Sequence, residues 1–134
     1  MKQTLDDETR KAVVDYRLSR SRETLVEVDY LIAGGFYSTA VCRLYYACYY
    51  SAVALLVENG LEAQTHAGVK TMLSFHFVKK DLLDRNCAKT FFKLFDLRMN
   101  NDYDDFSFCD KETLDEMRPL AEDFINAVTA LIKK

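Results

Sequence analysis

Apolar residues recur at intervals of three and four along most of this 134-residue chain, which is the spacing of amphipathic α-helices. The first such stretch covers residues 7–32. Gly34 and Gly35 are expected to end it, because glycine adopts a left-handed C-cap without strain. The second stretch covers residues 38–59 and begins at Ser38, whose hydroxyl is expected to cap the helix. The pattern therefore predicts two long helices joined by a short turn.

The second half of the chain contains three further helical patterns. Thr65 is expected to cap a third helix over about residues 65–79, and a short connector leads to a fourth helix over about residues 86–103. Asp110 is expected to cap a C-terminal helix, in which Pro119 predicts a kink or a broken first segment. The sequence therefore predicts an all-α fold, an up-and-down bundle of four or five helices.

The second predicted helix is apolar or aromatic almost all round and carries a single charge, Arg43, between Ser38 and Glu58. A helix of this kind is typical of the buried centre of a bundle. Its length also fits a membrane span, but an arginine and the tyrosines of the segment YYACYY are unfavourable in a bilayer. We therefore expect a bundle core and no membrane association.

Composition agrees with a globular helical protein. Hydrophobic residues make up 49% of the chain, and only four glycines and one proline occur, which disfavours a fold of many short strands. The length allows one core, so a single domain over residues 1–134 is expected. The formal net charge of -3 provides no overall basic field, so any RNA contact must be local. The N-terminal stretch has no apolar signal core, and we expect a cytoplasmic protein.

Neither a metal site nor a cofactor is predicted. The chain has four cysteines but no CxxC pair, and neither His66 nor His76 adds the close, repeated ligand spacing of a zinc site. The acidic segment DYDD lacks the glycine and glutamate spacing of a calcium-binding loop. We interpret the cysteines as reduced thiols. They are Cys42, Cys48, Cys87 and Cys109.

Arg98 lies on the apolar stripe of the fourth predicted helix. It follows Phe91 by seven residues and Leu94 by four, so at 100° per residue it is expected to face the bundle. A charge that faces inward needs a partner or a wet crevice, because its desolvation alone costs several kcal/mol. The structural alternatives are an ion pair with Asp102 one turn later, or a buried ion pair with another helix.

Arg43 raises the same question on the second helix. Two arginines that face inward in one small bundle indicate a shared polar crevice, either inside the bundle or at a seam between two subunits. The tyrosines of the second helix are interpreted as core aromatics whose hydroxyls reach water, in particular Tyr45 and Tyr49.

Two segments, STAVCRLYYACYYSAVALLVENGLEAQTHAGV and FDLRMNNDYDDF, resemble the HEPN domain proteins, in particular their small stand-alone bacterial and archaeal members. The resemblance covers nearly the whole chain. The matching positions fall in order, which is more specific than any single motif. The matching residues are Arg43, Tyr45, Tyr46, Ala47, Gly60, His66, Gly68, Val69, Arg98, Asp102, Tyr103 and Asp105.

The resemblance implies a helical bundle that forms a homodimer through its core helices. It also implies a function class, because members of the family act as metal-independent ribonucleases, often toxins, or as partners of a minimal nucleotidyltransferase. The family motif has a histidine four to six residues after its arginine. Here Tyr103 stands five residues after Arg98, and no histidine follows His76. A tyrosine, with a usual pKa of about 10, is a weak base at neutral pH, so this departure favours binding over cleavage.

The leading hypothesis is therefore a homodimeric nucleotide- or RNA-binding component of a toxin–antitoxin-like module, with a nucleotidyltransferase as its protein partner. In this hypothesis Arg98 and Tyr103 line a crevice for a phosphate, Asp102 orients Arg98, and Arg43 adds positive charge. Tyr103 is alternatively a hydroxyl that the partner modifies. The candidate catalytic residues are Arg98 and Tyr103, and the candidate binding residues are Arg43, Tyr46, His66, Asn101, Asp102 and Asp105.

Two alternatives remain open at this point. The first is an active endoribonuclease that uses Arg98 with Tyr103, or with His66 if the fold brings this imidazole close to the arginine. His66 is otherwise a histidine at a helix start that bonds a backbone group or a carboxylate. The second alternative is a structural dimer without activity, in which the arginines are ion-paired core residues.

Overall fold

The computed structural model describes residues 5–103 and 109–133, with the backbone alone for residues 101–103. All of the elements in these ranges are helical, which confirms the predicted all-α fold. A short π-helical turn, called the π segment below, directly follows the third helix. The elements are α1 (Asp7–Ala33), α2 (Tyr37–Glu58), α3 (His66–Leu73), the π segment (Ser74–Val78), α4 (Arg85–Tyr103) and α5 (Lys111–Ile132).

The first helix begins and ends close to the predicted residues. The side chain of Asp6 accepts a hydrogen bond from the Thr9 amide at 2.7 Å and so caps the N-terminus. Gly34 is the C-cap, and Gly35 follows with a φ of 81°. This left-handed conformation favours glycine, and it turns the chain directly into α2.

The second helix begins one residue earlier than predicted, and Ser38 does not cap it. Phe36 is the N-cap, and no side chain makes a capping hydrogen bond there. The turn is closed by the backbone, because the Phe36 amide donates to the Leu31 carbonyl at 2.9 Å. This bond brings Tyr37 into the first helical turn, so Ser38 lies inside the helix, where its hydroxyl no longer has the position of a cap.

The second helix lies at the centre of the bundle, as predicted. Its buried residues occupy its whole length, from Ala40 to Leu56. It packs against α1, α4 and α5, and its Ala47 carbonyl accepts a hydrogen bond of 2.6 Å from the buried hydroxyl of Ser21 on α1. By length and composition α2 could also cross a membrane, but 61% of its apolar stretch is buried inside the bundle. Burial of this extent favours a core helix.

The third helical stretch is divided into two kinds of helix. The side chain of Thr65 caps α3, as predicted, by accepting a hydrogen bond from the Gly68 amide at 2.9 Å. The stretch continues beyond Leu73 as the π segment and ends at about the predicted residue. A π-helical turn accommodates an extra residue in a helix, and such turns are frequent at functional sites.

The C-terminal helix is continuous. The side chain of Asp110 caps it, as predicted, by accepting a hydrogen bond from the Thr113 amide at 2.8 Å. The predicted break at Pro119 does not occur, since the α-helix runs through this residue. Pro119 is exposed, so the carbonyl group that loses its helical hydrogen bond can be hydrated instead. The helix packs its apolar side into the bundle, where Leu114 and Phe124 are fully buried.

Candidate functional site

Arg98 is half-buried and faces α2, in the direction that the helical periodicity predicted. Its guanidinium carbon lies 5.4 Å from the ring centroid of Tyr45 and 5.3 Å from that of Tyr46. These are cation–π distances, at which the ring faces attract the positive charge. The stripe that carries Arg98 is the inward face of α4, because Phe91 and Leu94 are fully buried.

His66 is the first residue of α3, and its side chain contacts the tyrosines on the same part of α2 as Arg98 does. Its Nδ1 atom lies 2.8 Å from the hydroxyl of Tyr45. Its ring stacks on that of Tyr49, with 4.3 Å between the centroids and 25° between the planes. Burial, and to a smaller extent the positive charge of Arg98, lower the pKa of His66. The imidazole is therefore neutral at neutral pH.

Tyr45 connects the imidazole to the core. Its side chain is fully buried, and its ring stacks on that of Phe91 at 5.6 Å. The interpretation that its hydroxyl reaches water was wrong, because α3 covers this part of α2 and the hydroxyl bonds to His66 instead. Burial raises the pKa of Tyr45, while the nearby Arg98 opposes this effect.

The pKa directions keep both groups neutral, so their hydrogen bond can form with either tautomer of the imidazole. In one tautomer the Tyr45 hydroxyl donates to Nδ1, and the imidazole proton then lies on Nε2. In this tautomer His66 is a hydrogen-bond donor at Nε2. In the other tautomer Nδ1 donates to the Tyr45 oxygen, and Nε2 becomes a proton acceptor. The pair can therefore present either a donor or a base next to Arg98.

Arg43 contacts the site from the side of α1. Its guanidinium carbon lies 5.6 Å from the ring centroid of Tyr46, so both predicted inward arginines contact this one ring. Its Nη2 atom is 3.3 Å from Oε1 of Glu27, and 27% of its side chain is exposed. The same glutamate lies 3.6 Å from Arg20. The two arginines therefore meet on the ring of Tyr46, and Glu27 neutralises part of their charge. The shared polar crevice stays a prediction.

The remaining site predictions lie outside the described residues. The side chains of Asn101, Asp102 and Tyr103 are among them, and so is the whole of Asp105. The ion pair between Arg98 and Asp102 therefore stays a prediction, and so do the roles of Tyr103.

Sequence reasoning did not assign Tyr45 and Tyr49 to the site. The signal for them is their spacing, because residues four apart on a helix lie on one face. That face of α2 meets His66, so the two tyrosines hold the imidazole in position.

Within residues 5–103 and 109–133, no group of three or more histidine, cysteine, aspartate or glutamate side chains is placed to hold a metal ion. The four cysteines are free thiols. Burial raises the pKa of the Cys48 thiol, and burial together with Asp84 and Asp123 raises that of Cys87 to about 11. These two thiols are therefore protonated at neutral pH.

Comparison with known proteins places the site in a family. The model of the HEPN domain matches residues 14–131, which includes every described site residue. A UPF0332 protein of Thermotoga maritima is 29% identical over 124 residues, which cover 92% of this chain and 94% of the relative. A Methanocaldococcus jannaschii protein, named as a candidate toxin, is 29% identical over 137 residues, with 100% of this chain and 98% of the relative covered. A second M. jannaschii protein with the same kind of name is 29% identical over 103 residues, 71% of this chain and 70% of the relative. The chain belongs to the HEPN domain family.

Proposed function

We propose that this HEPN protein is the homodimeric, phosphate-binding component of a toxin–antitoxin-like module, and that its partner is a minimal nucleotidyltransferase. Its ligand is a nucleotide or an RNA phosphate. Two relatives that cover most of this chain are named as candidate toxins, which supports a module of this kind. The observation that carries the proposal is the position of Arg98 on the rings of Tyr45 and Tyr46, beside the imidazole of His66.

The chemistry of these groups suits a phosphate. An arginine has five N–H donors in a planar fork that matches phosphate oxygens. The contacts of Arg98 with the rings of Tyr45 and Tyr46 hold this charged group beside His66. In the tautomer in which Tyr45 donates to Nδ1, His66 adds a neutral donor at Nε2. Both groups are partly removed from water, which strengthens their attraction to an anion.

The outer face of α2 supports the proposed homodimer. Half-buried apolar and aromatic residues continue along this helix at intervals of three and four, next to Arg43 and the Arg98 site. A second copy that packs on this face would cover these side chains and bring two Arg98 sites near one seam. The residues are Tyr46, Tyr50, Val53 and Val57.

The binding function is tested with purified protein, labelled RNA and EDTA. Arg98→Gln is expected to weaken binding about tenfold or more, since it removes a charged hydrogen-bond donor to phosphate. Arg22→Gln is the matched control, because Arg22 is exposed and donates to Asn126 on α5. Equal binding by the wild type and Arg98→Gln would contradict the proposal. If Arg98→Gln lowers the free energy of unfolding but the binding of RNA and of a protein partner does not change, the structural dimer without activity would be favoured.

A metal-independent endoribonuclease is the second candidate, and the proximity of His66 to Arg98 favours it. In the tautomer with the proton on Nδ1, the Nε2 atom of His66 can take the proton of the RNA 2′-hydroxyl. The 2′-oxygen then attacks phosphorus, Arg98 stabilises the added negative charge, and the 5′-oxygen leaves with a proton from an acid such as Tyr103. Cleavage of RNA in EDTA that is lost in both Arg98→Gln and His66→Gln would favour this enzyme over the binding protein.

A further inference from the structure

A basic groove lies beside the site, between α3 with the π segment on one side and α4 on the other. Its volume is about 620 Å³, and the charged residues of its described lining are Lys70, Lys79 and Arg85. The described lining contains no acidic residue, so the groove is locally cationic in a chain whose formal net charge is -3. The neighbouring Asp84 lies outside this lining and caps α4, where it accepts a hydrogen bond from the Cys87 amide at 3.2 Å.

Aromatic rings lie next to these cations. Phe75, on the π segment, is 54% exposed, and the Nζ atom of Lys79 lies 5.6 Å from its ring centroid. Phe95 lines the groove from α4, and the Nζ atom of Lys70 lies 5.0 Å from its centroid. An accessible ring among cations can stack a nucleobase while the cations contact the phosphates on both sides.

The groove is continuous with the Arg98 site. Lys70 lies one helical turn after His66 on α3, so the two side chains share a face of this helix. On α4, Phe95 is three residues before Arg98, and its ring lies edge-on to Tyr45 with 6.0 Å between the centroids. A ligand that leaves the phosphate site between α3 and α4 would therefore enter the groove.

We propose that this groove binds single-stranded RNA whose chain continues from a phosphate held at Arg98. Lys70, Lys79 and Arg85 contact successive phosphates, and Phe75 stacks on one base. The inference rests on the proposed phosphate-binding function and makes it more specific, because a mononucleotide held at Arg98 would not reach Lys79 and Arg85 as well. It also predicts little sequence preference, since neither phosphate contacts nor stacking read base edges.

The test uses fluorescence anisotropy with a labelled oligouridine of about 12 nucleotides over a range of salt concentrations. The double variant Lys79→Gln with Arg85→Gln is expected to weaken binding about tenfold or more at low salt. It should also reduce the slope of log affinity against log salt by about 1.4, or about 0.7 for each lost phosphate contact. Phe75→Ala is expected to weaken binding about fivefold or more with little change in this slope. The charge-matched control is Lys11→Gln with Lys80→Gln, since both lysines are exposed and neither lines the groove.

Several results would overturn the groove proposal. One is wild-type affinity in the Lys79 and Arg85 double variant, and another is an equal loss of affinity in the control double variant. A third is competition by oligoglutamate as strong as that by unlabelled oligouridine, which would make the groove a surface for acidic proteins. Circular dichroism spectra that match the wild type establish that the variants are folded.

Binding of AMP separates this inference from the proposed function. The groove variants should leave AMP binding unchanged, while Arg98→Gln should weaken the binding of both AMP and the oligonucleotide. If only the groove variants weaken oligonucleotide binding, the phosphate site at Arg98 fails and the groove stands. If only Arg98→Gln has an effect, the groove fails and the phosphate site stands.

Discussion

The hydroxyl of Tyr45 and the Nδ1 atom of His66 lie 2.8 Å apart, and this hydrogen bond connects the first turn of α3 to the buried centre of α2. The bond determines which nitrogen of the imidazole is available to a ligand. It also attaches the first residue of α3, which Thr65 caps, to the part of α2 that contacts Arg98. The positions of the imidazole and the guanidinium are therefore coupled through one buried tyrosine, whose ring contacts both.

Tyr45→Phe is expected to lower the free energy of unfolding by about 1 kcal/mol, because it leaves Nδ1 of the half-buried His66 without its hydrogen-bond partner. Urea denaturation measures this change. Tyr49→Phe is the matched control, since the ring of Tyr49, and not its hydroxyl, stacks on the imidazole at 4.3 Å. Equal losses in the two variants would indicate that the hydrogen bond to His66 adds no specific stability.

Arg98→Gln is expected to raise the pKa of His66. The positive charge of Arg98 disfavours protonation of the imidazole, but burial is the larger cause of the lowered pKa and persists in the variant. The pKa should therefore move towards its usual value without reaching it. An NMR titration of the imidazole protons measures the change. Arg43→Gln serves as the control, and a pKa of His66 that is equal in Arg98→Gln and the wild type would contradict the inferred proximity.

Much of the fold could be predicted because its signals are local. The spacing of apolar residues determines which face of each helix is buried, and caps such as Thr65 and Asp110 act within one turn of their own residue. The predicted cap at Ser38 was wrong because a backbone hydrogen bond from Phe36 to Leu31 closes the α1–α2 turn instead. A bond between backbone groups leaves no signal in the pattern of side chains.

The site was predictable only in part. The direction of Arg98 follows from its position on one helix, so periodicity was sufficient. Its neighbours depend on how three helices pack, since Tyr45 and His66 are 21 residues apart in sequence and meet only when α3 covers α2. From the sequence, a tyrosine on an apolar helix can be assigned to the core, but the hydrogen-bond partner of its hydroxyl depends on how the helices pack.

The lowered pKa of His66 predicts a pH dependence of stability. As the pH falls below about 6.5, the unfolded chain takes up a proton that the folded protein still excludes. The free energy of unfolding should therefore decrease as the pH falls from about 6.5 through the lower pKa of the folded protein. Urea denaturation at about pH 7.5 and about pH 5.5, at constant ionic strength, measures this decrease. In His66→Gln the difference in the free energy of unfolding between the two pH values should become smaller. An unchanged difference would rule out His66 as its source.

Glu27→Gln is expected to separate stability from ligand binding at the rim of the site. The ion pair between Glu27 and Arg43 is partly exposed, so its removal should change the free energy of unfolding by less than about 1 kcal/mol. The same change removes a negative charge beside the ring of Tyr46, where Arg43 and Arg98 meet. An anionic ligand should therefore bind more tightly, and more so at low salt, because screening weakens the repulsion from Glu27.

Anisotropy titrations of labelled RNA at two salt concentrations measure this effect of Glu27→Gln. Glu23→Gln is the matched control, since Glu23 pairs with Arg20 at 2.9 Å and one turn of α1 separates it from Glu27. RNA binding that responds equally to both substitutions would indicate a general effect of net charge. A gain in RNA affinity confined to Glu27→Gln would mean that the ligand lies at the ring of Tyr46, because Glu27 is the glutamate whose charge repels an anion there.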